Sequence, residues 1–229
     1  MSARFAEAMS KMPLVAILRG ITPEESPPIL LALINAGFLM IEAPLTSPQP
    51  FETIRLMRAA APSDVLIGAG TVTTPEEVDQ IAEAGGDLVV SPHCNVHLVA
   101  AAKRLGLVAI PGVATPSEAF AALGAGADAL KAFPAEMITP PILRAWRAVL
   151  PAEAPLLPVG GITLQSMADY VAAGAAGFGL GSSLYKPHDS VQKVAASATA
   201  FVAAWRKLRA AKAKSLPRVQ PWAPKIDAP

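Results

Sequence analysis

Short apolar runs alternate along the chain with longer segments in which charged residues recur at helical spacing. The candidate strands are residues 14–19, 39–43, 65–69, 88–91, 107–111, 128–132, 156–159 and 177–180. Each run is short, apolar and mostly bounded by Gly or Pro, which is typical of strands buried on both faces of a parallel sheet. Helix starts are predicted at Thr22, Thr74 and Thr115, where each Thr precedes Pro and at least one acidic residue.

Glycines mark the predicted helix ends. They stand one to three residues before a strand, at positions 37, 85, 106, 126 and 174. Glycine adopts the left-handed conformation at little cost, so each of these residues indicates a helix C-cap. The last helix is predicted over residues 190–212, where Phe201, Trp205 and Leu208 form an apolar stripe that should pack on the barrel.

Eight strand–helix alternations favour an α/β fold, a closed (β/α)8 TIM barrel that forms a single domain over residues 1–209 with a short N-terminal helix. The alternative is an open doubly wound sheet, but no GxGxxG segment follows the first strand. Residues 210–229 are basic and then proline-rich, so they are predicted to form a separate C-terminal extension. Proline should prevent a helix from continuing beyond about Leu216.

Composition excludes several classes of function. The chain has 229 residues, 52% hydrophobic and 16% charged, and a net charge of +1, so no basic surface for nucleic acid is predicted. No apolar stretch reaches the roughly 18 residues that cross a bilayer, and no signal peptide is recognised, so a soluble cytoplasmic protein is predicted. The single cysteine, Cys94, fits a reducing compartment.

In a barrel of this kind the working residues project from the C-terminal ends of the strands. Asp87 and Asp128 open their strands, so they are predicted to stabilise the opposite face. The residues that close strands, and should therefore share one mouth, are Arg19, Glu42, Thr71, Ser91, His93, Lys131, Gly160, Gly161, Gly181 and Ser182.

Lys131 and Glu42 are charged residues inside otherwise apolar strands. An amine with little water around it loses its charge more easily, and the neutral amine is a nucleophile toward ketones. Lys131 is therefore either a nucleophile or a cation that pairs with a carboxylate or phosphate. Glu42 is either a proton carrier or the partner of a structural ion pair with Arg19 or Lys131, and these two roles are compatible.

Glycine-rich segments close the seventh and eighth strands, at residues 159–163 and 179–183. Free backbone N–H groups at these two strand ends commonly bind phosphate, although the glycines could serve tight turns alone. His93 and His97 have the i, i+4 spacing of a metal pair. No third ligand is evident at another strand end, so no metal is predicted.

Seven segments, taken together and in order, resemble the pyruvate-dependent class I aldolases of the 2-keto-3-deoxy-6-phosphogluconate and -galactonate type. They are residues 16–20, 41–42, 68–72, 91–92, 110–112, 130–134 and 159–162, and the resemblance spans roughly residues 12–210. The family implies a lyase that requires no cofactor or metal and forms a homotrimer. Its substrate class is a phosphorylated keto-deoxy sugar acid, and one product is pyruvate.

The resemblance also implies roles for individual residues. Lys131 would form an imine with the substrate, and Glu42 would move protons. The remaining implied binding residues are Arg19 and Thr71 near the keto acid, Pro92, Phe133 and Val159 along the site, and Gly160, Gly161, Gly181 and Ser182 around the phosphate.

Departures from the gluconate-type pattern bear on the substrate. Residues 44–47 lack the arginine that follows the second strand in gluconate-type enzymes, whereas Arg19 ends the first strand and Val159 precedes the paired glycines. These traits are similar to those of the galactonate-type branch. The alternatives are a gluconate-type aldolase, a metal-dependent aldolase or sugar-phosphate epimerase, and a non-catalytic sugar-phosphate-binding barrel.

Overall fold

A computed structural model of the chain describes residues 2–215, so most of the predicted extension 210–229 lies outside the described residues. The strands are β1 (Leu14–Ile17), β2 (Met40–Pro44), β3 (Leu66–Gly70), β4 (Leu88–Val90), β5 (Val108–Ile110), β6 (Gly112–Val113), β7 (Leu130–Ala132), β8 (Leu156–Pro158) and β9 (Phe178–Leu180). The helices are α1 (Ala3–Lys11), α2 (Ser26–Ala36), α3 (Pro50–Ala60), α4 (Pro75–Glu83), α5 (Val96–Arg104), α6 (Pro116–Gly124), α7 (Pro140–Arg147), α8 (Met167–Ala172) and α9 (Val191–Ser215).

The strands pair in parallel, which confirms the predicted α/β class. A six-stranded sheet has the order β5-β4-β3-β2-β1-β9, and a three-stranded sheet has the order β6-β7-β8. All eight predicted runs contain strand, and the fifth run ends at Pro111, beyond which the short strand β6 was not predicted. Because proline has no N–H to donate to a ladder, β5 and β6 lie on either side of it and pair with different neighbours.

Helix ends follow the predicted signals at most positions. Thr74 forms a capping box with Glu77, and the Thr115 side chain accepts a hydrogen bond from the Glu118 backbone N–H. The five C-cap glycines of the sequence all have positive φ angles, between 74° and 114°. Helices α4 and α6 therefore begin at the proline that follows the capping threonine, as the sequence predicts.

The helix start predicted at Thr22 is wrong, because α2 begins at Ser26. A helix capped by Thr22 would place Pro27 and Pro28 in its second turn. Their missing N–H groups and their rings would disrupt the helix there. Beginning at Ser26 puts both prolines in the first turn, where no intrahelical donor is needed. Thr22 instead forms a local turn, in which its Oγ1 accepts from the Glu25 N–H at 3.4 Å.

The core has two layers. Between strands and helices, buried apolar side chains form one continuous cluster, and α9 contributes Phe201 and Trp205 to it as predicted. Inside the sheet, a second cluster includes Val15, Met40 and Leu157, and Phe5 of α1 packs against it with no exposed surface. The N-terminal helix thus covers the end of the sheet opposite the strand C-termini. Among the described residues, no helix has the length and hydropathy of a membrane span.

Asp87 and Asp128 lie at the start of their strands and bind neighbouring elements, as predicted. The Asp87 carboxylate accepts hydrogen bonds from the guanidinium groups of Arg4, at 2.6 Å, and Arg58, at 2.9 Å. Asp128 accepts from the Lys103 ammonium at 2.6 Å and from the Ala109 N–H at 3.0 Å. These charged contacts bind helices to strand starts on the face away from the strand C-termini.

Replacing Asp128 with Ala should lower the free energy of unfolding by about 3 kcal/mol, because a buried carboxylate is lost and the Lys103 ammonium keeps only the Leu107 carbonyl as an acceptor, with no anionic partner. Urea denaturation followed by circular dichroism measures this change. The control is Asp79→Ala, which breaks an exposed pair with Arg104 and should cost less than about 0.5 kcal/mol. Equal losses in both variants would contradict the structural role of Asp128.

Candidate active site

A cleft of about 500 Å³ opens at the C-terminal ends of the strands, where the sequence places the working residues. Its walls come from the loops after β1, β7, β8 and β9. The predicted site residues that line it are Arg19, Lys131, Phe133, Val159, Gly160, Gly161, Gly181 and Ser182. Residues from four segments of the sequence therefore converge on one concave surface, as a ligand site requires.

Lys131 lies in the middle of β7 and is only 6% exposed. Its ammonium nitrogen, Nζ, lies 4.6 Å from the centroid of the Phe133 ring. Burial lowers the pKa of the Lys131 amine; Glu42 opposes this effect, and the Arg19 cation adds to it. Among the described residues, Nζ makes no hydrogen bond or ion pair, so the amine is held as a poorly solvated group beside the cleft.

The floor beneath Lys131 is apolar and closed. Val15, Ile17, Ile110 and Leu157 are among the side chains around a space of only about 10 Å³ on the interior side of Lys131. A single water molecule needs at least about that volume and several polar partners. The Lys131 amine is therefore poorly hydrated on its interior side and accessible from the cleft.

Glu42 lies in β2 and is 1% exposed. Burial raises the pKa of its carboxyl to about 7, although the Lys131 and Arg19 cations pull that pKa downward. Its Oε2 atom has no hydrogen-bond partner among the described residues. A carboxyl group in this state can hold a proton or release it near neutral pH, which suits a proton carrier.

Gly70 makes the position of the Glu42 carboxylate compatible with the sheet. Strands β2 and β3 pair with Pro44 opposite Gly70, and a Cβ atom at Gly70 would overlap the Glu42 carboxylate. The absence of a side chain at the end of β3 thus creates the space for this acid. The sequence contained this glycine in a matching segment, but only the strand register reveals what it accommodates.

The paired glycines Gly160 and Gly161 have φ angles of 107° and 59°, in the left-handed region that favours glycine. A Cβ atom at Gly160 would also overlap the Glu136 carboxylate. Successive backbone N–H groups in such a turn form a concave surface for anions. Gly181 and Ser182 border the same part of the cleft, so both glycine-rich segments meet there as predicted.

Three predicted site residues, Glu42, Thr71 and Pro92, do not line the cleft. Glu42 lies behind it, within electrostatic range of Lys131. Thr71 follows β3 with a φ of 56°, which is strained for a β-branched residue and is a feature that often occurs near functional sites. Pro92 follows β4, and its backbone packs against Gly112.

Sequence reasoning missed several residues of the cleft. Glu136, Tyr185 and Lys186 all line it. The strand-end rule could have indicated Lys186, which follows β9 by six residues, but the loop conformation decides whether its side chain turns inward. Among the described residues, no three His, Cys, Asp or Glu side chains are arranged to bind a metal ion, and His93 and His97 stay outside the cleft.

Comparison with known proteins identifies the family. Residues 5–198 match the aldolase family described as "KDPG and KHG aldolase". The chain is 48% identical to a probable 2-dehydro-3-deoxy-6-phosphogalactonate aldolase of Rhizobium meliloti (strain 1021), over 84% of this chain and 91% of that protein. It is 46% identical to the 2-dehydro-3-deoxy-6-phosphogalactonate aldolase of Escherichia coli (strain K12), over 86% of this chain and 97% of that protein.

The fold agrees with these relatives. A solved structure described as "Native KDPGal structure" superposes with a TM-score of 0.86 at 45% identity, covering 87% of this chain and 97% of the other. The chain is therefore an aldolase, a carbon–carbon lyase that belongs to the KDPG and KHG aldolase family.

Proposed function

We propose that the protein is a class I aldolase that cleaves 2-dehydro-3-deoxy-6-phospho-D-galactonate to pyruvate and D-glyceraldehyde 3-phosphate. The observation that carries this proposal is the poorly solvated Lys131 amine, which faces the cleft beside a buried Glu42. An amine with a lowered pKa and a carboxyl with a raised pKa are the two groups that Schiff-base catalysis needs near neutral pH.

In the first step the neutral Lys131 amine attacks the C2 ketone of the substrate. Loss of water from the resulting carbinolamine gives a protonated imine that is conjugated to the carboxylate. This imine accepts the electron pair of the C3–C4 bond when that bond breaks. The dry floor beneath the amine favours the step, because little water competes to hold Lys131 as an ammonium ion.

Glu42, directly or through a water molecule, takes the proton of the C4 hydroxyl as the C3–C4 bond breaks. D-Glyceraldehyde 3-phosphate leaves, and an enamine remains on Lys131. Protonation of the enamine at C3 and hydrolysis of the imine release pyruvate and restore the amine. A carboxyl with a pKa of about 7 can both accept and return a proton in this cycle.

The remaining residues would bind the two ends of the substrate. Arg19 and Thr71 would hold the keto-acid end, with Pro92, Phe133 and Val159 along the reacting carbons. Gly160, Gly161, Gly181 and Ser182 would hold the phosphate through backbone N–H groups and a hydroxyl. The position of Arg19 and the glycines on the cleft wall supports this assignment, and Lys186 adds a cation at the phosphate end.

Two observations favour the galactonate substrate over its C4 epimer. Both relatives described above are named for the galactonate substrate. In this chain the cation stands at Arg19 and not at residues 44–47, and Val159 lies on the wall beside Lys131. Since the two substrates differ at the carbon where the bond breaks, polar groups at this position would decide between them.

We further propose that the two sheets form one closed eight-stranded barrel in a single domain. At one junction Pro111 lies between β5 and β6, and the Lys131 N–H donates to its carbonyl at 2.9 Å. At the other junction a parallel bridge pairs Val159 with Gly179, which connects β8 to β9. These contacts support continuous neighbours around the ring.

Association as a homotrimer is a further proposal that follows from the resemblance. Large apolar side chains are exposed on the described surface, among them Phe120 at 49%, Met137 at 67% and Val149 at 57%. Contact with other copies of the chain would remove such surface from water.

The substrate assignment is tested by offering both C4 epimers of the 6-phosphorylated keto-deoxy acid and measuring pyruvate release. The galactonate epimer should give the larger kcat/KM, by roughly tenfold or more, because a misplaced C4 hydroxyl loses its contact with the base. A larger value for the gluconate epimer would favour the gluconate-type alternative. Substrate binding without pyruvate release would favour a sensor.

Incubation with pyruvate and borohydride should leave a stable adduct on Lys131, which peptide mass mapping locates. Lys186 lines the same cleft and serves as the internal control, since it should stay unmodified. Lys131→Arg keeps the cation but cannot form an imine, so cleavage should fall at least about 10³-fold. Undiminished cleavage by this variant would reject the nucleophile.

The rate of cleavage should rise with pH between about pH 5 and pH 8. A carboxyl with a raised pKa is protonated below that pKa, so the base is absent at low pH and becomes available as pH passes about 7. Loss of the Lys131 proton acts in the same direction. Glu42→Gln should retain trapping by pyruvate better than turnover and should lose the part of this acidic limb that the Glu42 carboxyl contributes near pH 7; an unchanged pH profile would make Glu42 structural.

A further inference from the structure

Two loops border the cleft from adjacent strands. The first loop, residues 18–25, follows β1 and carries Arg19. The last loop, residues 181–190, follows β9 and carries Ser182 and Lys186. The proposed keto-acid end of the site thus belongs partly to the first loop, whereas the phosphate end belongs partly to the last loop.

The first loop is held by the neighbouring strand and by the loop that follows that strand. The Leu18 N–H donates to the Glu42 carbonyl at 3.0 Å. The Gly20 N–H donates to Ser47 Oγ at 2.9 Å, and Ser47 is a buried side chain after β2. These two bonds flank Arg19 on both sides, so the position of Arg19 depends on β2 and the segment after it.

The backbone hydrogen bonds of the last loop are mainly internal, and the buried side chains of Leu184 and Tyr185 anchor it to the core. The N–H groups of Leu184 and Tyr185 both donate to the Gly181 carbonyl, at 2.8 and 3.0 Å, and the Asp189 N–H donates to the Lys186 carbonyl at 3.0 Å. Such bonds define local turns but do not fix the loop relative to the rest of the cleft.

Glu25 connects the last loop to the first. Its Oε2 accepts a hydrogen bond from the Tyr185 hydroxyl at 3.3 Å, and its Oε1 lies 3.2 Å from His188 Nδ1. Among the described residues, these are the side-chain polar contacts between the two loops. Pro187 adds an apolar contact, since a Cβ atom at Gly20 would lie 2.8 Å from its Cγ.

Tyr185 is suited to transmit this contact to the ligand site. The residue is only 2% exposed and borders the cleft, and its hydroxyl reaches Glu25. Burial and the Glu25 carboxylate raise the pKa of the Tyr185 hydroxyl, which keeps it protonated as a donor. A phenol that donates to a carboxylate makes a charge-assisted hydrogen bond, and this one, at 3.3 Å, is longer than the strongest bonds of that type.

We propose that Glu25 is a positioning residue. By accepting a hydrogen bond from the Tyr185 hydroxyl, it fixes the last loop and thereby the phosphate end of the cleft. This inference rests on the proposed function for its effect on the phosphorylated substrate. Because Arg19 is anchored separately through Leu18 and Gly20, removing the Glu25 carboxylate should loosen the phosphate end and leave the keto-acid end in place.

The test compares Glu25→Ala with Glu24→Ala. Glu24 is exposed on the same loop and makes no hydrogen bond or ion pair among the described residues, so it is a matched control. Glu25→Ala should raise KM for the phosphorylated substrate about tenfold, the scale of one charged hydrogen bond. Trapping by pyruvate and borohydride, which needs no phosphate contact, should stay at the wild-type level in both variants.

Two further variants separate positioning from stability. Glu25→Gln keeps an acceptor oxygen for the Tyr185 hydroxyl and should restore most of the lost affinity. Tyr185→Phe keeps the ring in the cleft wall, deletes only the donor and should raise KM as Glu25→Ala does. If Glu25→Ala leaves KM at the wild-type value, or reduces pyruvate trapping in proportion to cleavage, the inference is overturned.

Amide hydrogen exchange tests the contact without any substrate. Glu25→Ala should increase exchange across residues 181–190 and leave residues 14–20 as protected as in the wild type. Unchanged exchange over 181–190 would overturn the inference even for an enzyme that cleaves the phosphorylated acid. If the wild type cleaves neither C4 epimer, the proposed function fails, and the exchange result still decides whether Glu25 holds the loop.

Discussion

The structure depends on keeping one amine poorly hydrated beside one buried acid. Lys131 and Glu42 are both almost fully buried, and their pKa values move in opposite directions from those of free side chains. Neither shift stabilises the folded chain, since burial disfavours the charged form of each group. Interactions elsewhere in the fold must offset the destabilisation that burial of this pair causes. Such a balance between stability and function is common in proteins.

That stability comes from the parts of the molecule farthest from the cleft. Phe5 covers the interior layer of the core, and Asp87 and Asp128 bind helices to strand starts through charged hydrogen bonds. Close packing also sets the chemistry at the other end of the strands. The space for the Glu42 carboxylate exists because Gly70 lies opposite the end of β2 without a side chain. Close packing and the proposed proton carrier therefore meet in the same pair of strands, β2 and β3.

Much of the fold could be predicted because its signals are local. Apolar runs located the strands, and Thr74, Thr115 and the C-cap glycines located helix ends, since each signal acts within one turn. The start of α2 was mispredicted because Pro27 and Pro28 override the Thr22 signal, and β6 was missed because it is only two residues long and follows Pro111, where the predicted run ends. The strand order within the two sheets depends on distant pairings that no local pattern encodes.

The site was predictable to the extent that strand ends determine it. Lys131, Arg19 and the paired glycines fall on the cleft wall because their strands end there. Glu136, Tyr185 and Lys186 were not found, because loop conformation decides which of many polar loop residues turns inward. The contact between Glu25 and Tyr185 joins residues 160 positions apart and has no signature in the sequence.

The apolar space under Lys131 has room for at most about one water molecule, so the amine is more accessible to solvent from the cleft than from the interior of the sheet. Under the proposed mechanism, a bound substrate shields its own imine, and the water that frees pyruvate gains access once the aldehyde has departed. Release of the aldehyde before hydrolysis of the imine would then follow from the shape of the cleft, without a conformational change.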